Sequence, residues 1–203
     1  MTMNKGKFWI TAGIILLVSA LCLTAYNFFA SQRAKAEAES AVEKINTAVA
    51  AELKKSGKSD KKSRKKPTDG EKDMPTVTVE GRDYVGTVII SALGLELPVL
   101  NECNSRNLTH APCRYFGSVY KNDMVICAHN YVSHFGRLRR LCVGDTVIFK
   151  DVYGNKFNYK IVEFETLSPL DTDEMKTDNY GLTLFTCTPG GSTRVTLRCE
   201  KSE

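Results

Sequence analysis

Cys187 and Arg194 stand in a pattern that could support nucleophilic chemistry. Residues 182–187 (LTLFTC) combine threonine with large apolar residues, and residues 194–199 (RVTLRC) alternate polar and apolar types, so both are predicted to be strands. The turn residues 188–193 (TPGGST) join them, which predicts antiparallel neighbours with Cys187 beside Arg194 at a sheet rim. A neighbouring cation favours the nucleophilic thiolate. The same pattern also fits a buried structural cysteine beside a surface arginine.

His129 could supply acid–base chemistry to such a thiol. It follows the apolar segment Val125–Ala128 and precedes polar residues, so it is expected at a strand end near a rim. Histidine changes charge near neutral pH, which suits a general acid or base. By itself, such a histidine is more often structural; His110 and His134 are the other two histidines of the chain.

The seven cysteines contain no CxxC pair, which argues against a zinc ribbon or a thioredoxin-type motif. Cys22 lies in the first hydrophobic segment and the other six lie in the C-terminal half. Those six could form three disulfides, or at most two if Cys187 is a free nucleophile. Cys127 and His129 are predicted to share a strand face, about 6.6–7 Å apart along the chain.

The positive charge of the 203-residue chain is local. Residues 54–66 hold eight basic residues and one acid, a net of +7, which leaves −2 for the remainder of the total of +5. The folded part is thus near neutral and does not call for a nucleic-acid partner. The run has few apolar residues, so it is predicted to be a disordered tether that could also touch anionic lipid or wall polymers.

The N-terminal region predicts a membrane anchor. Residues 8–30 form an uncharged stretch of 23 residues, long enough to cross a bilayer and longer than the usual apolar core of a signal peptide. We therefore expect a short cytoplasmic segment (1–7), a transmembrane signal anchor (8–30), a helical and lysine-rich spacer (31–75) and an extracellular domain (76–203). Within the spacer, residues 34–53 predict a solvated helix, with a short coiled coil as the alternative.

Short strands and punctuating turns dominate the rest of the chain, which predicts an all-β barrel or sandwich with few helices. Helical pieces are expected at 105–109 and 135–141, and a hairpin connection at 152–155. The predicted strands are residues 76–79, 83–90, 95–100, 115–119, 124–129, 145–150, 156–164, 182–187 and 194–199.

Taken together, these residues resemble the sortases, the cysteine transpeptidases of the Gram-positive cell surface. The family's Thr-Leu-x-Thr-Cys strand matches residues 183–187, and its following arginine matches Arg194. Its histidine, which ends an apolar strand, matches His129 in the sequence CAHN. The ordered resemblance covers about residues 83–200, and the preceding anchor and spacer also fit.

The resemblance implies an eight-stranded barrel with three catalytic residues at one end. Cys187 would attack the carbonyl of a sorting signal of Leu-Pro-x-Thr-Gly type, His129 would be the general acid and base, and Arg194 would stabilise the oxyanion and hold the peptide. Cys127 and Thr186 are candidate groove residues. The expected partners are surface proteins with sorting signals and a peptidoglycan precursor or other amine acceptor, with no metal or organic cofactor. Arg198 shares a face with Arg194 and is the rival for its role, although we expect it to be structural.

Two other functions fit parts of the pattern. A Cys/His cell-wall peptidase, a thiol-dependent hydrolase, would transfer the same acyl group to water. A non-enzymatic surface domain with metal-binding or adhesive function could use Cys127, His129, His134 and Cys187 as zinc ligands, although their spacing matches no common zinc motif.

Overall fold

The structure, a computed structural model, describes residues 5–56, 74–177 and 179–202. Most of the lysine-rich run therefore lies outside the described residues. The contacts divide the chain into two units, Met1–Arg33 and Ala34–Glu203.

The first long element is helix α1, Lys5–Ser56. Its segment Gly6–Ala30 has a mean hydropathy of 2.2 and a length of 25 residues, which suffices by length and composition to cross a membrane. The predicted anchor, residues 8–30, lies inside this segment. The predicted spacer helix belongs to the same helix rather than to a separate one.

A closed barrel of eight strands forms the core of the second unit. The hydrogen-bonded order is β2-β3-β4-β5-β8-β9-β7-β6, and pairing of β2 with β6 closes it, while β1 extends β2 at one side. The strands are β1 Val77–Val79, β2 Arg82–Ile90, β3 Leu95–Leu100, β4 Cys113–Phe116, β5 Met124–Ala128, β6 Thr146–Asp151, β7 Lys156–Leu167, β8 Leu182–Cys187 and β9 Arg194–Lys201. The short helices are α2 Ser105–Leu108 and α3 Thr172–Met175, with 3-10 helices at Ser91–Leu93 and Phe135–Arg140.

The all-β barrel predicted from the sequence is confirmed, and β3 and β8 have the predicted bounds. Strand β4 differs, because it ends at Phe116 rather than continuing to Val119. Gly117 has φ +69°, and a Cβ there would lie 2.0 Å from the carbonyl oxygen of Asp123. The Ser118 N–H then donates to Asp123 Oδ1 at 2.7 Å, so the chain turns instead of extending the strand.

Strand alternation separates two apolar clusters across β5 and β8. Met124, Ile126 and Ala128 face the barrel interior, where Leu182 and Leu184 also pack. Of the alternate residues, Val125 and Cys127 of β5 and Phe185 of β8 belong to a second cluster on the outer face of the barrel wall. That outer cluster includes Tyr84, Leu100, Cys113, Val125, Cys127, Leu167, Met175 and Phe185.

Part of the spacer helix packs against this outer cluster. Ile45 is buried in it, and Ala41 packs beside it. Lys44 Nζ forms an ion pair with Glu80 Oε1 at 2.6 Å. The expectation of a fully solvated spacer is therefore wrong for this face, because the isoleucine removes apolar surface from water against the barrel.

Candidate active site

Strand register brings the three predicted catalytic residues onto one line. β5 and β8 are parallel, with Ala128 opposite Thr186, so His129 follows at the height of Cys187. β8 and β9 are antiparallel, with Cys187 opposite Arg194. Paired residues project to the same face of a sheet, and adjacent strands lie about 4.8 Å apart. The line His129–Cys187–Arg194 therefore crosses three neighbouring strands on the outer face, with the cysteine in the centre.

A buried hydrogen bond fixes the first two members of this line. Thr186 Oγ1 donates to the Ala128 carbonyl oxygen at 2.8 Å and joins residues 58 positions apart. Thr186 is 3% exposed and lies on the interior face, opposite to Cys187. This placement does not support the expected contact of Thr186 with a peptide groove. Instead, Thr186 holds the strand end that presents the cysteine.

His129 lies just past the end of β5 in a half-buried position. Its carbonyl oxygen accepts a hydrogen bond from the Phe135 N–H at 3.2 Å, so the backbone leaves the sheet at this residue. The Tyr131 ring lies 4.9 Å from the imidazole, centroid to centroid. Burial lowers the pKa of His129 from its ordinary value. The imidazolium is therefore a readier proton donor, although less of it forms at neutral pH.

The turn before Arg194 is internally hydrogen-bonded. Thr188 N–H donates to the Thr193 carbonyl oxygen at 3.0 Å, and the Gly191 N–H donates to the Thr188 carbonyl oxygen at 2.8 Å. The Arg194 guanidinium returns to this turn through Nη1, which lies 3.1 Å from the Gly191 carbonyl oxygen. Arg194 is half-exposed and is paired with Cys187 in the strand register, so both residues lie at an accessible rim.

Arg198 occupies a different environment on the same strand face. Its side chain is 2% exposed, and Nε lies 2.6 Å from Glu165 Oε2. Nη2 donates to the Glu174 carbonyl oxygen at 2.7 Å, and Nη1 donates to Thr183 Oγ1 at 3.1 Å. The Tyr180 ring centroid lies 5.2 Å from the guanidinium carbon. These contacts tie the β7–β8 connection, which contains α3, to the barrel.

Cys127 is on the face of His129, as predicted, but it is covered. It is 4% exposed, and its Sγ lies 2.8 Å from Sγ of Cys103, which comes from the connection between β3 and β4. The expected groove-lining position is therefore occupied by a second cysteine, half-buried itself. The described cysteines are all free thiols.

Aromatic residues beside this line did not stand out in the sequence. Tyr115 packs edge-on against Phe185, with ring centroids 5.2 Å apart. Lys176 Nζ lies 5.7 Å from the Tyr115 centroid and 5.9 Å from that of Phe116. A pattern of alternation shows that such residues share a face, but only the register between distant strands brings them together.

Across the described parts of the chain, no group of three or more His, Cys, Asp or Glu side chains is arranged to hold a metal ion. The four side chains considered as zinc ligands are thus not gathered into such a group there. His134 is fully buried with its ring 5.6 Å from Tyr131, whereas Cys187 is half-exposed at the rim.

This fold and this line of residues define a sortase-type barrel, and the chain belongs to the sortase family. The family model described as Sortase domain matches residues 88–202, from the last residues of β2 to just past the end of β9. No curated protein matches the chain significantly.

Several solved sortases have a similar fold. A sortase D5 transpeptidase of Clostridium perfringens is 20% identical, with a TM-score of 0.57 over 83% of this chain and 98% of that one. Sortase A of Corynebacterium diphtheriae is 20% identical, with a TM-score of 0.55 over 60% and 62% of the two chains. Sortase C of Streptococcus pneumoniae is 23% identical, with a TM-score of 0.54 over 59% and 69%. The chain thus spans less than two thirds of the Corynebacterium protein.

Proposed function

We propose that the chain is a membrane-anchored cysteine transpeptidase with its catalytic domain outside the cell. It would cleave a C-terminal sorting signal of Leu-Pro-x-Thr-Gly type in surface proteins and transfer the acyl group to a cell-wall amine. The observation that carries this proposal is the line His129–Cys187–Arg194 across β5, β8 and β9 in a chain of the sortase family. The apolar segment Gly6–Ala30 supports the anchor.

The proposed reaction has two halves. Cys187 Sγ attacks the scissile carbonyl, the C–N bond breaks, and His129 gives a proton to the leaving amine. The acceptor amine then loses a proton to His129 and attacks the thioester, which releases Cys187. Arg194 offers positive charge to the oxyanion formed in each half. The tight engagement of Arg198 with Glu165 and α3 supports Arg194, rather than Arg198, in this role.

The test uses the full-length chain in detergent micelles, a library of fluorescent sorting peptides and several amines. We expect mass spectrometry to detect the N-terminal peptide fragment as a thioester on Cys187. Cys187→Ala should abolish the adduct, and His129→Gln should slow turnover by about 10²–10⁴-fold. Cys142→Ser, at an exposed position away from the line, is the matched control.

The dependence of the product on amine concentration distinguishes acyl transfer from hydrolysis. A transpeptidase should yield an amide product that increases with amine concentration. If water remains the only acceptor at every amine concentration, the chain is a Cys/His peptidase. The proposed chemistry is refuted if no peptide in the library gives an adduct on folded protein.

A further inference from the structure

Three cysteines meet on the outer face of the barrel, outside the proposed catalytic line. Cys113 of β4 and Cys127 of β5 are direct partners across an antiparallel pair. Cys103 reaches them from the β3–β4 connection, and its Sγ lies 2.8 Å from that of Cys127. A disulfide bond is about 2.05 Å long, so bond formation needs a shift of less than 1 Å between these sulfur atoms.

The three thiols are chemically different. Hydrogen bonds from Cys113 and then from Cys127 lower the pKa of Cys103 to about 4, which favours its thiolate. Hydrogen bonding to Cys103 and burial raise the pKa of Cys127 and of Cys113, so both stay protonated. Cys103 is also half-buried, whereas Cys113 and Cys127 are 0% and 4% exposed. The arrangement thus pairs one accessible thiolate with a buried thiol in contact.

The cluster is also close to the proposed site. Cys127 lies two residues before His129, and its partner across the parallel pair is Phe185, two residues before Cys187. The cysteine cluster therefore occupies the adjacent row of side chains, about 7 Å from the catalytic row. Anything that fixes Cys103 to Cys127 fixes the β3–β4 connection to the strand that carries the histidine.

We propose that Cys103 and Cys127 are an oxidation site at which a low-molecular-weight disulfide forms an intramolecular disulfide bond. The Cys103 thiolate attacks one sulfur of the reagent and releases one small thiolate, which leaves a mixed disulfide. Cys127 then loses its proton, attacks Cys103 Sγ and expels the second small thiolate. The two protein thiols lose two electrons, and the reagent is reduced to two thiols. Cys113 remains a thiol beside the new bond.

This proposal is independent of the reaction assigned to Cys187 and is tested without measuring activity. The folded full-length chain in detergent is treated with oxidised glutathione, quenched in acid, alkylated after denaturation and digested with trypsin. Cleavage after Arg106, Arg114 and Lys121 places the three clustered cysteines on separate peptides. We expect the peptides of Cys103 and Cys127 to be linked with the loss of two hydrogen atoms, and that of Cys113 to be alkylated.

Two variants sharpen the test. Cys103→Ser should abolish the link and leave Cys127 fully alkylated, whereas Cys142→Ser, at an exposed position outside the cluster, should leave the link unchanged. In the reduced chain at pH 6, iodoacetamide should modify Cys103 at least tenfold faster than Cys142. This second measurement needs no variant to fold.

Several results would overturn the proposal. One is full alkylation of both Cys103 and Cys127 after the oxidant. Another is a stable glutathione adduct on Cys103 without the internal link, and a third is a mixture of pairings no different from that of chain oxidised in denaturant.

Discussion

Replacing Arg198 should strongly destabilise the barrel, whereas the same replacement of Arg194 should not. Arg198→Met keeps much of the side-chain volume but removes the ion pair with Glu165 and the donors to Glu174 and Thr183. A hydrogen bond to a charged group contributes about 1.5–3 kcal/mol, and removal of one partner from a buried ion pair costs about 3–5 kcal/mol. Glu165 is 28% exposed and can turn to water, so the lower end applies. We expect Arg198→Met to lower the free energy of unfolding by about 3 kcal/mol.

The loss can be measured on the full-length chain through Cys199, which is 0% exposed in the barrel interior. Pulsed alkylation of Cys199 during a urea titration reports opening of the barrel and does not respond to unfolding of α1. With an m-value of about 1.5 kcal/mol per molar, Arg198→Met should lower the urea midpoint by about 2 M. Among the described contacts, the Arg194 side chain bonds only to the exposed turn. Arg194→Met should therefore change the free energy of unfolding by less than about 0.5 kcal/mol, which is about 0.3 M in the urea midpoint.

Activity separates the two arginines further. Folded Arg194→Met should lose about 10²–10³-fold in acyl transfer, the usual effect of removing one oxyanion donor. Folded Arg198→Met in the absence of urea should retain most of its turnover. An inactive but stable Arg198→Met together with an active Arg194→Met would refute this division of roles and transfer the catalytic assignment to Arg198.

Three further predictions test other features of the fold. Burial lowers the pKa of His129 from its ordinary value, so the neutral imidazole stabilises the fold above about pH 6.5 and this contribution is lost as the pH falls. His129→Gln should therefore flatten the decline of the urea midpoint as the pH is lowered below about 6.5. Gly117→Ala should lower the free energy of unfolding, measured by urea titration, by more than about 3 kcal/mol because its Cβ would clash with the Asp123 backbone. Its control is Gly94→Ala, where φ is +61° but the space is open, and the expected loss is about 1–2 kcal/mol. Thr186→Val should lower the free energy of unfolding by about 1 kcal/mol in the same measurement, since it removes the buried hydrogen bond to β5.

Local patterns predict much of this barrel because alternation and turn chemistry are local. The hairpin of β8 and β9 follows from its own residues, and so does the pairing of Cys187 with Arg194. The strand before His129 can also be predicted from the sequence, but its parallel pairing with β8 cannot. Parallel partners are joined by a long crossover, and no short-range signal states which strands become neighbours.

Two features of the structure depend on contacts between residues that are distant in the sequence. Cys103 lies in a loop whose path is set by tertiary packing, so a sequence without a CxxC pair does not reveal the cysteine cluster. The contact of Ile45 with the outer cluster is likewise hidden, because a narrow apolar stripe on a charged helix also suits a solvated spacer. Burial of Arg198 could be suspected only from the shared strand face.

The hydrogen bond between Thr186 and Ala128 has a consequence for how the protein matures. It joins positions 58 residues apart across a parallel pair, so histidine and cysteine become neighbours only after non-local pairing is complete. A nascent chain that has folded only its hairpins holds the Cys187 thiol without His129, its proposed acid–base partner. Under the proposed assignment of Cys187 and His129, acylation by a refolding chain should therefore begin with burial of Cys199 and not before it.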